Sequence, residues 1–170
     1  MGLASDLDYE VPEAGTVQRG LHAVVSSRPG AWVAARVLPG LDAWLEARTG
    51  RTLPGVLAAL PILALTTTGR RTGTPRLSHL VALPHDDDLA VIGTNFGQRA
   101  TPGWVYNLEA EPTATVSFKE RSLEVVARPA TDAERTVIFA RAERVYRGYA
   151  LYPQRIHGRR IRVFVLEPAA

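Results

Sequence analysis

The chain has 170 residues and a formal net charge of +3, with 46% hydrophobic and 22% charged residues. This length and composition predict one globular domain and exclude an intrinsically disordered chain. Cysteine is absent, which excludes disulfides, thiolate nucleophiles and cysteine-ligated metal or iron–sulfur sites, so any redox chemistry must depend on a bound cofactor.

The first fifty residues are helical in character. Their apolar residues recur at spacings of three and four, with interruptions at Pro29-Gly30 and Pro39-Gly40, which predicts short, broken amphipathic helices. Residues 1–50 are therefore expected to form an N-terminal helical extension. Its arginines fit either packing against the rest of the domain or contact with an acidic membrane surface.

The chain shows neither a secretory signal nor an apolar run of about 20 residues, so we expect a cytoplasmic protein, with peripheral membrane association as an option.

From Leu60 the pattern changes to strands. A short apolar, β-branched run from Ile62 to Thr68 stops at Gly69, and a second strand is expected from Arg76 to Leu83. The polar turn that begins at His85 leads into a third strand, Leu89 to Thr94. Two strands thus flank a loop rich in arginine, threonine and glycine.

The second half adds three strands and two helices. Pro102 to Ala110 is a short helix with Thr101 as its expected N-cap, and a capping box from Thr131 to Glu134 opens a longer helix toward Tyr146. The strands are a hairpin, Val116–Phe118 with Leu123–Ala127, and a final strand, Ile161–Leu166. Six strands with few helices between them predict an α+β fold with a mainly antiparallel sheet or barrel over residues 51–170.

Several kinds of active site are excluded by spacing. The four histidines show no pairing suited to a metal, so no metal site is expected. Ser78 and His79 are adjacent on a strand and point to opposite faces, so they cannot form a nucleophile–base pair. Neither a Walker motif nor Gly-x-Gly-x-x-Gly occurs.

The arginine-rich loop is the strongest candidate for a binding site. Lysine occurs once, as Lys119, among 20 basic residues. Arg70, Arg71 and Thr72 lie between Gly69 and Gly73, and Arg76 follows. Guanidinium forks suit phosphate or carboxylate oxygens. A solvated turn has the same composition, so composition alone leaves both interpretations open.

A family resemblance favours the anion-binding interpretation. The runs Leu65-Thr-Thr-Thr-Gly-Arg-Arg-Thr-Gly-Thr-Pro-Arg76, Gly93-Thr-Asn-Phe-Gly97 and Pro102-Gly-Trp-Val-Tyr-Asn-Leu108, followed by Glu111-Pro112, occur in the order and spacing of the deazaflavin-dependent nitroreductase family. The sequence resembles that family from Leu60 to Pro168. The resemblance implies a six-stranded, mainly antiparallel split β-barrel with N-terminal and flanking helices. It also implies use of coenzyme F420, a deazaflavin with an anionic phosphate and glutamate tail.

The resemblance also implies roles for individual residues. In the family, residues of the three matched runs bind the anionic tail or lie beside the cofactor ring. Without the family resemblance, Trp104 would be interpreted as a core residue and Asn107 as a polar residue facing solvent. The implied tail-binding residues are Arg70, Arg71, Thr72 and Arg76, and the implied ring-side residues are Thr94, Asn95, Trp104 and Asn107.

Three tyrosines, Tyr146, Tyr149 and Tyr152, match a family trio over the acceptor pocket, and on one helix they would share a face. An aromatic stripe in the core is the alternative. Tyr149 is the first candidate for a catalytic hydrogen-bond donor and Thr94 the second. Val81 and His79 stand where family members carry other residues, so the pocket wall is expected to differ.

The resulting functional hypothesis is an oxidoreductase. Hydride would pass from reduced coenzyme F420 to an apolar conjugated acceptor such as a quinone, enone or nitro compound, and the departures at Val81 and His79 favour a quinone-like carbonyl over a nitro compound. Two alternatives remain open: a split-barrel oxidoreductase that uses flavin mononucleotide (FMN), and a non-catalytic cofactor or quinone carrier. A nucleic-acid partner is not expected, because the charge is small and basic and aromatic residues do not alternate.

Overall fold

A computed structural model describes residues 2–11, 60–146, 148–156 and 158–169. The predicted helical extension over residues 1–50 lies outside these ranges except for residues 2–11. Within residues 2–11 the chain forms a short helix, α1 (Leu3–Asp6), and both Leu3 and Leu7 are fully buried. The first described segment is therefore part of the core of the barrel.

Seven strands form one antiparallel sheet in the order β2-β1-β5-β6-β7-β4-β3. This confirms the α+β fold with an antiparallel split-barrel sheet, while the expected number of six strands was wrong. The strands are β1 (Leu63–Thr68), β2 (Pro75–Leu80), β3 (Ala82–His85), β4 (Asp88–Ile92), β5 (Thr113–Phe118), β6 (Arg121–Pro129) and β7 (Val163–Pro168). The other helices are α2 (Gly103–Ala110), α3 (Asp132–Val145), α4 (Gly148–Arg155) and a 3-10 turn (Asn95–Gly97).

The seventh strand arises from a break at Val81. One strand was expected from Arg76 to Leu83, but β2 ends at Leu80 and β3 begins at Ala82. The two strands lie at opposite edges of the sheet order. Because a single residue joins them, the two edges must meet at Val81, and the sheet curls into a barrel. The alternation of inward-facing and outward-facing side chains continues through the break, since Leu80 and Ala82 pack inward while Val81 packs outward. The sequence pattern therefore gives no sign of the break.

The two halves of the sheet are buried differently. In β1, buried and less buried side chains alternate. Only the face with Leu63 and Leu65 belongs to the inner core, the apolar group enclosed by the sheet. In β4 and β7 both faces are buried. Their outer faces pack against α3 and α4 in a second apolar group, the outer cluster. It includes Ala90, Ile92, Val163, Val165, Ile138, Ala142, Tyr146, Tyr149 and Tyr152. Strands buried on both faces need uninterrupted apolar runs, which explains the sequences of β4 and β7.

The helix boundaries correct two expectations and confirm a third. Pro102, and not Thr101, is the N-cap of α2, and its carbonyl accepts the Val105 N–H. The capping box of α3 is confirmed, because the Thr131 hydroxyl accepts the Glu134 N–H while the Glu134 carboxylate accepts the Thr131 N–H. Tyr146 adopts extended backbone after α3. The three tyrosines therefore do not share one helix, and Tyr149 and Tyr152 lie on α4.

An ionic cluster joins β6, α3 and β7. Arg128 donates to both Glu134 oxygens, at 2.7 and 2.9 Å, and to Glu167 at 2.6 Å. Arg128 and the backbone N–H of Thr131 hold the pKa of the Glu134 carboxyl well below its ordinary value. Bidentate arginine–carboxylate geometry gives such pairs orientation as well as energy, so this cluster fixes α3 against the sheet.

The Tyr9 hydroxyl ties the N-terminal segment to the point of barrel closure. It accepts the Ala82 N–H at 3.0 Å and lies 3.0 and 3.1 Å from the carbonyl oxygens of Pro61 and Ala82. Both Tyr9 and Ala82 are buried. Since buried backbone groups are costly to leave unpaired, this contact stabilises the junction between β2 and β3.

No helix in the described residues is long and apolar enough to cross a membrane.

Candidate functional site

Two loops of the candidate site leave the same end of the barrel. Four successive antiparallel pairings lead from β1 through β5, β6 and β7 to β4, so β1 and β4 run parallel. The loop after β1 carries the arginines, and the loop after β4 carries Thr94 and Asn95. Helix α2 contacts β1 and places Val105 beside Gly93. Sheet topology thus brings together segments that lie about 25 residues apart in sequence.

The arginine loop is a tight turn that depends on glycine at both ends. Gly69 N–H donates to Thr74 O at 2.8 Å, and Gly73 N–H donates to Gly69 O at 2.7 Å. A Cβ atom at Gly69 would lie 2.9 Å from the Thr74 carbonyl oxygen, and Gly73 has a φ of +67°. Side chains other than glycine fit neither position well. The turn displays Arg70, Arg71 and Thr72 to solvent.

The guanidinium groups of this loop have no acidic partner in the described part of the chain. The ion pairs found there involve other arginines, Lys119 and His85. Arg76 lies opposite Thr67 in the β1–β2 register, at the same barrel end as Arg70. These cations are therefore available for an external anion.

The Asn107 side chain, on α2, fixes the backbone of the arginine loop to the end of β1. Its Nδ2 donates to Thr67 Oγ1 at 2.9 Å, and its Oδ1 accepts the Arg70 N–H at 3.1 Å. Both Asn107 and Thr67 are buried, so the interpretation of Asn107 as a residue facing solvent was wrong. Both polar atoms of its side chain bond to protein groups. The structure gives Asn107 a role in fixing the loop, whereas the expected place beside a cofactor ring stays a prediction.

An aromatic ring supports the Arg70 side chain. The Arg70 guanidinium lies 4.5 Å from the centroid of the Tyr106 ring, and the Arg162 guanidinium lies 6.0 Å from the same centroid. Arg162 also donates to Glu109 Oε1 at 2.9 Å. Cation–π attraction orders flexible cationic side chains. Sequence reasoning missed Tyr106 and Arg162, because Arg162 is 56 residues away and nothing in the local sequence marks the contact.

The loop after β4 is compact and lies close to α2. A Cβ atom at Gly93 would come within 2.8 Å of the Val105 side chain, so α2 approaches here only because residue 93 is glycine. Thr94 is 6% exposed. Asn95 has a φ of 51°, and its Nδ2 donates to Ala100 O at 3.0 Å. The structure thus brings Thr94 and Asn95 to the barrel end of the arginine loop.

Trp104 lies in the inner core. Its ring is 6.2 Å from the Phe164 ring in an edge-on arrangement, and it is 9% exposed. The alternative interpretation of Trp104 as a core residue therefore describes its packing, and a contact with a cofactor stays a prediction.

The three tyrosines pack on one another in the outer cluster. Their ring centroids are 5.8 to 6.2 Å apart, and all three side chains are buried. Helix α4, which carries Tyr149 and Tyr152, contacts the 3-10 turn after Thr94. Burial raises the pKa of the Tyr149 phenol. The aromatic trio is thus part of the core and also borders the loop of the candidate site.

Val81 and His79 lie on the face of the sheet that the tyrosines cover. Val81 packs against the outer cluster. His79 pairs with Ala64 and Ser78 pairs with Leu65, so the two side chains point to opposite faces, as expected. The described residues hold no group of three or more side chains that could bind a metal ion.

A groove of about 510 Å³ lies along β1 and β5 beside the arginine loop, where threonines and Pro75 line it with Glu111 and Glu124. Two carboxylates make this groove a poor match for an anionic ligand. Positive charge distinguishes the arginine loop from the groove, so the loop is the candidate site for an anionic ligand.

The sequence matches the family model for F420H(2)-dependent quinone reductases over residues 41–168. An F420H(2)-dependent quinone reductase of Mycobacterium tuberculosis is 33% identical over 82 residues, which cover 48% of this chain and 53% of that protein. The chain thus spans about half the length of the curated relatives it matches.

Solved structures share the fold. An F420-H2 dependent reductase, FDR-A, is 30% identical and superposes with a TM-score of 0.57 over 63% of this chain and 94% of its own. A structure described as a domain-swapped dimer is 27% identical, with a TM-score of 0.58 over 82% of this chain and 99% of its own.

Replacing Asn107 tests the support of the arginine loop. Asn107→Leu removes the acceptor of the Arg70 N–H and the donor to the buried Thr67 hydroxyl, so unfolding in urea should show a loss of about 1–3 kcal/mol. The Arg70 amide should also exchange its hydrogen faster. Gln154→Leu removes an exposed amide on α4 and should change stability by less than about 0.5 kcal/mol. An Asn107→Leu protein with wild-type stability and a protected Arg70 amide would contradict the assignment.

Proposed function

The chain belongs to the F420H(2)-dependent quinone reductase family, and on that basis we propose that it transfers a hydride from reduced coenzyme F420 to a quinone-like acceptor. One observation carries this proposal for the chain itself. A glycine-bounded loop with arginines that lack acidic partners in the described residues lies at the same barrel end as Thr94 and Asn95. Such a site has one end suited to an anionic tail and another suited to a ring.

The arginine loop fits the charged part of the cofactor. The side chain of coenzyme F420 carries a phosphate and glutamate carboxylates, all of them anions. Arg70, Arg71 and Arg76 offer forked donors for such oxygens, and Thr72 offers a hydroxyl. Tyr106 and Asn107 hold Arg70 by its guanidinium and its backbone. Because these donors are ordered before binding, less conformational entropy is lost when the anion arrives.

The other end of the site orients the reacting ring. When bound, the reduced deazaflavin supplies a hydride to an electrophilic carbon or oxygen system. Thr94 and Asn95 would face the ring, with Trp104 behind them, and the buried surface around α4 would exclude water. Orientation and exclusion of water are the contributions that a protein makes when the cofactor carries the chemistry.

Tyr149 is the proposed hydrogen-bond donor to the acceptor. Burial raises the pKa of its phenol above the ordinary value of 10.0, so the hydroxyl stays protonated at neutral pH. A neutral phenol suits a group that stabilises negative charge on the acceptor through a hydrogen bond. It releases its proton reluctantly, so the proton that the acceptor takes up would come from solvent, and the Thr94 hydroxyl could relay it by accepting one proton as it donates another.

The proposed acceptor pocket combines Tyr146, Tyr149 and Tyr152 with Val81 and His79. Val81 packs against the same outer cluster as the tyrosines, and His79 lies on the same face of the sheet. An apolar wall of this kind favours a conjugated carbonyl compound. Contact of residues 1–50 with a membrane that holds such a compound stays a prediction, as does location in the cytoplasm.

Affinity for the cofactor and its alternative tests the proposed tail site. A fluorescence titration should show tighter binding of coenzyme F420 than of FMN, whose single phosphate makes fewer ion pairs with the loop. Arg71→Gln should weaken F420 binding about tenfold, because a charge-assisted hydrogen bond is lost. Arg141→Gln removes the same charge from the exposed face of α3 and should change affinity less than about twofold. Tighter binding of FMN, or equal losses in both variants, would contradict the proposal.

The role of Tyr149 is tested by removing its hydroxyl. Tyr149→Phe keeps the ring packing and should lower the turnover number with a soluble quinone roughly 100-fold, because the acceptor loses a hydrogen-bond donor. Cofactor affinity, measured on the same preparation, should stay nearly unchanged because the tail site is intact. A turnover number equal to that of the wild type would eliminate this role.

A further inference from the structure

Arg159 contacts the loop that carries Thr94 although it lies about 65 residues later in the sequence. Its Nη1 donates to Gly93 O at 3.0 Å, and its Nη2 donates to Thr94 O at 3.1 Å and to Gln98 O at 3.1 Å. The side chain is partly buried in the segment that precedes β7. One guanidinium therefore holds three backbone carbonyls from both ends of the loop.

The loop needs such a partner because of its own backbone. Thr94 has helical dihedral angles, Asn95 lies in the left-handed region, and Gly97 has a φ of 77°. The loop itself supplies two short-range hydrogen bonds, Gly97 N–H to Thr94 O and Gln98 N–H to Asn95 O. Converging carbonyl oxygens repel one another electrostatically. A planar cation with several donors offsets this repulsion, and a lysine ammonium or a neutral side chain matches the geometry less well.

Backbone carbonyl oxygens solvate the Arg159 guanidinium, and none of its contacts in the described residues is a carboxylate. Burial and the nearby charge of Arg162 lower its pKa, yet a guanidinium remains protonated at any working pH. Arg160, the next residue, instead points outward and pairs with Asp132 on the surface. Neighbouring arginines thus have different environments, which makes Arg160 a matched control.

We propose that Arg159 is a positioning residue, which fixes the Gly93–Gln98 loop and thereby places Thr94 and Asn95 against the cofactor ring. The inference rests on the proposed function, because it concerns the ring end of the same site. Arg159 donates to the loop carbonyls and needs no contact with the cofactor. It acts separately from the arginine loop, so its loss should disturb hydride transfer more than the affinity for the anionic tail.

The test compares Arg159→Ala with Arg160→Ala. In Arg159→Ala the turnover number should fall about 100-fold, as expected for a displaced reactive group, while the dissociation constant for the oxidised cofactor changes far less. Millimolar guanidinium chloride should restore part of the turnover, and sodium chloride at equal ionic strength should not. Without any cofactor, the amides of Gly97 and Gln98 should exchange faster in Arg159→Ala and should slow again with guanidinium. Arg160→Ala should match the wild type in all measurements.

Several outcomes would overturn the inference. These are wild-type turnover in Arg159→Ala, unchanged exchange at Gly97 and Gln98, or no rescue by guanidinium. If Arg159→Ala does not fold, Arg159→Lys decides, because it keeps the charge but lacks the fork. A folded Arg159→Lys with reduced turnover supports the inference, and one with full turnover refutes it. Failure of the wild type to bind or oxidise the reduced cofactor would instead refute the proposed function, and the positioning role would fall with it.

Discussion

The side-chain amide of Asn107 joins the three elements on which the site depends. From α2 it donates to Thr67 at the end of β1 and accepts the backbone N–H of Arg70 in the arginine loop. Both Asn107 and Thr67 are buried, and an unpaired polar group is costly there. The position of the exposed cations therefore follows from a buried, neutral hydrogen-bond network, and Tyr106 then orders Arg70 from the side.

The closure of the barrel explains why the two ends of the proposed site are close. The chain passes through Val81 from one sheet edge to the other, and β1 and β4 consequently lie across a shared inner core. Their following loops leave the same end. Gly93 lets α2 pack beside the second loop, while α4 covers the outer face with Tyr149 and Tyr152. An anion-binding turn and a buried aromatic surface are thus held on one rigid frame, as transfer between a charged cofactor and an apolar acceptor requires.

The strand pattern, the helix cap and the arginine turn were predictable from the sequence because each depends on residues close together in the chain. The alternation of β1, the capping box at Thr131 and the glycines that bound the arginine turn are short-range signals. Contacts across the fold were not predictable. The break at Val81 preserves the alternating pattern, and the partners of Asn107, Tyr106 and Arg159 lie about 35 to 65 residues away. The resemblance of motifs supplied candidate roles for Thr94, Trp104 and the tyrosines, but packing alone shows that Trp104 and the tyrosines are also core residues.

The central claim is that a deazaflavin lies across this barrel end, with its anionic tail on the arginine loop and its ring beside Thr94. Backbone amide NMR spectra, recorded while coenzyme F420 is added, test it most directly. We expect saturable shifts at Arg70–Gly73, at Thr94–Gln98 and along α2, and unchanged signals at the β5–β6 turn on the opposite barrel end. Shifts confined to the groove beside Glu111 and Glu124, or no shifts at all, would contradict it.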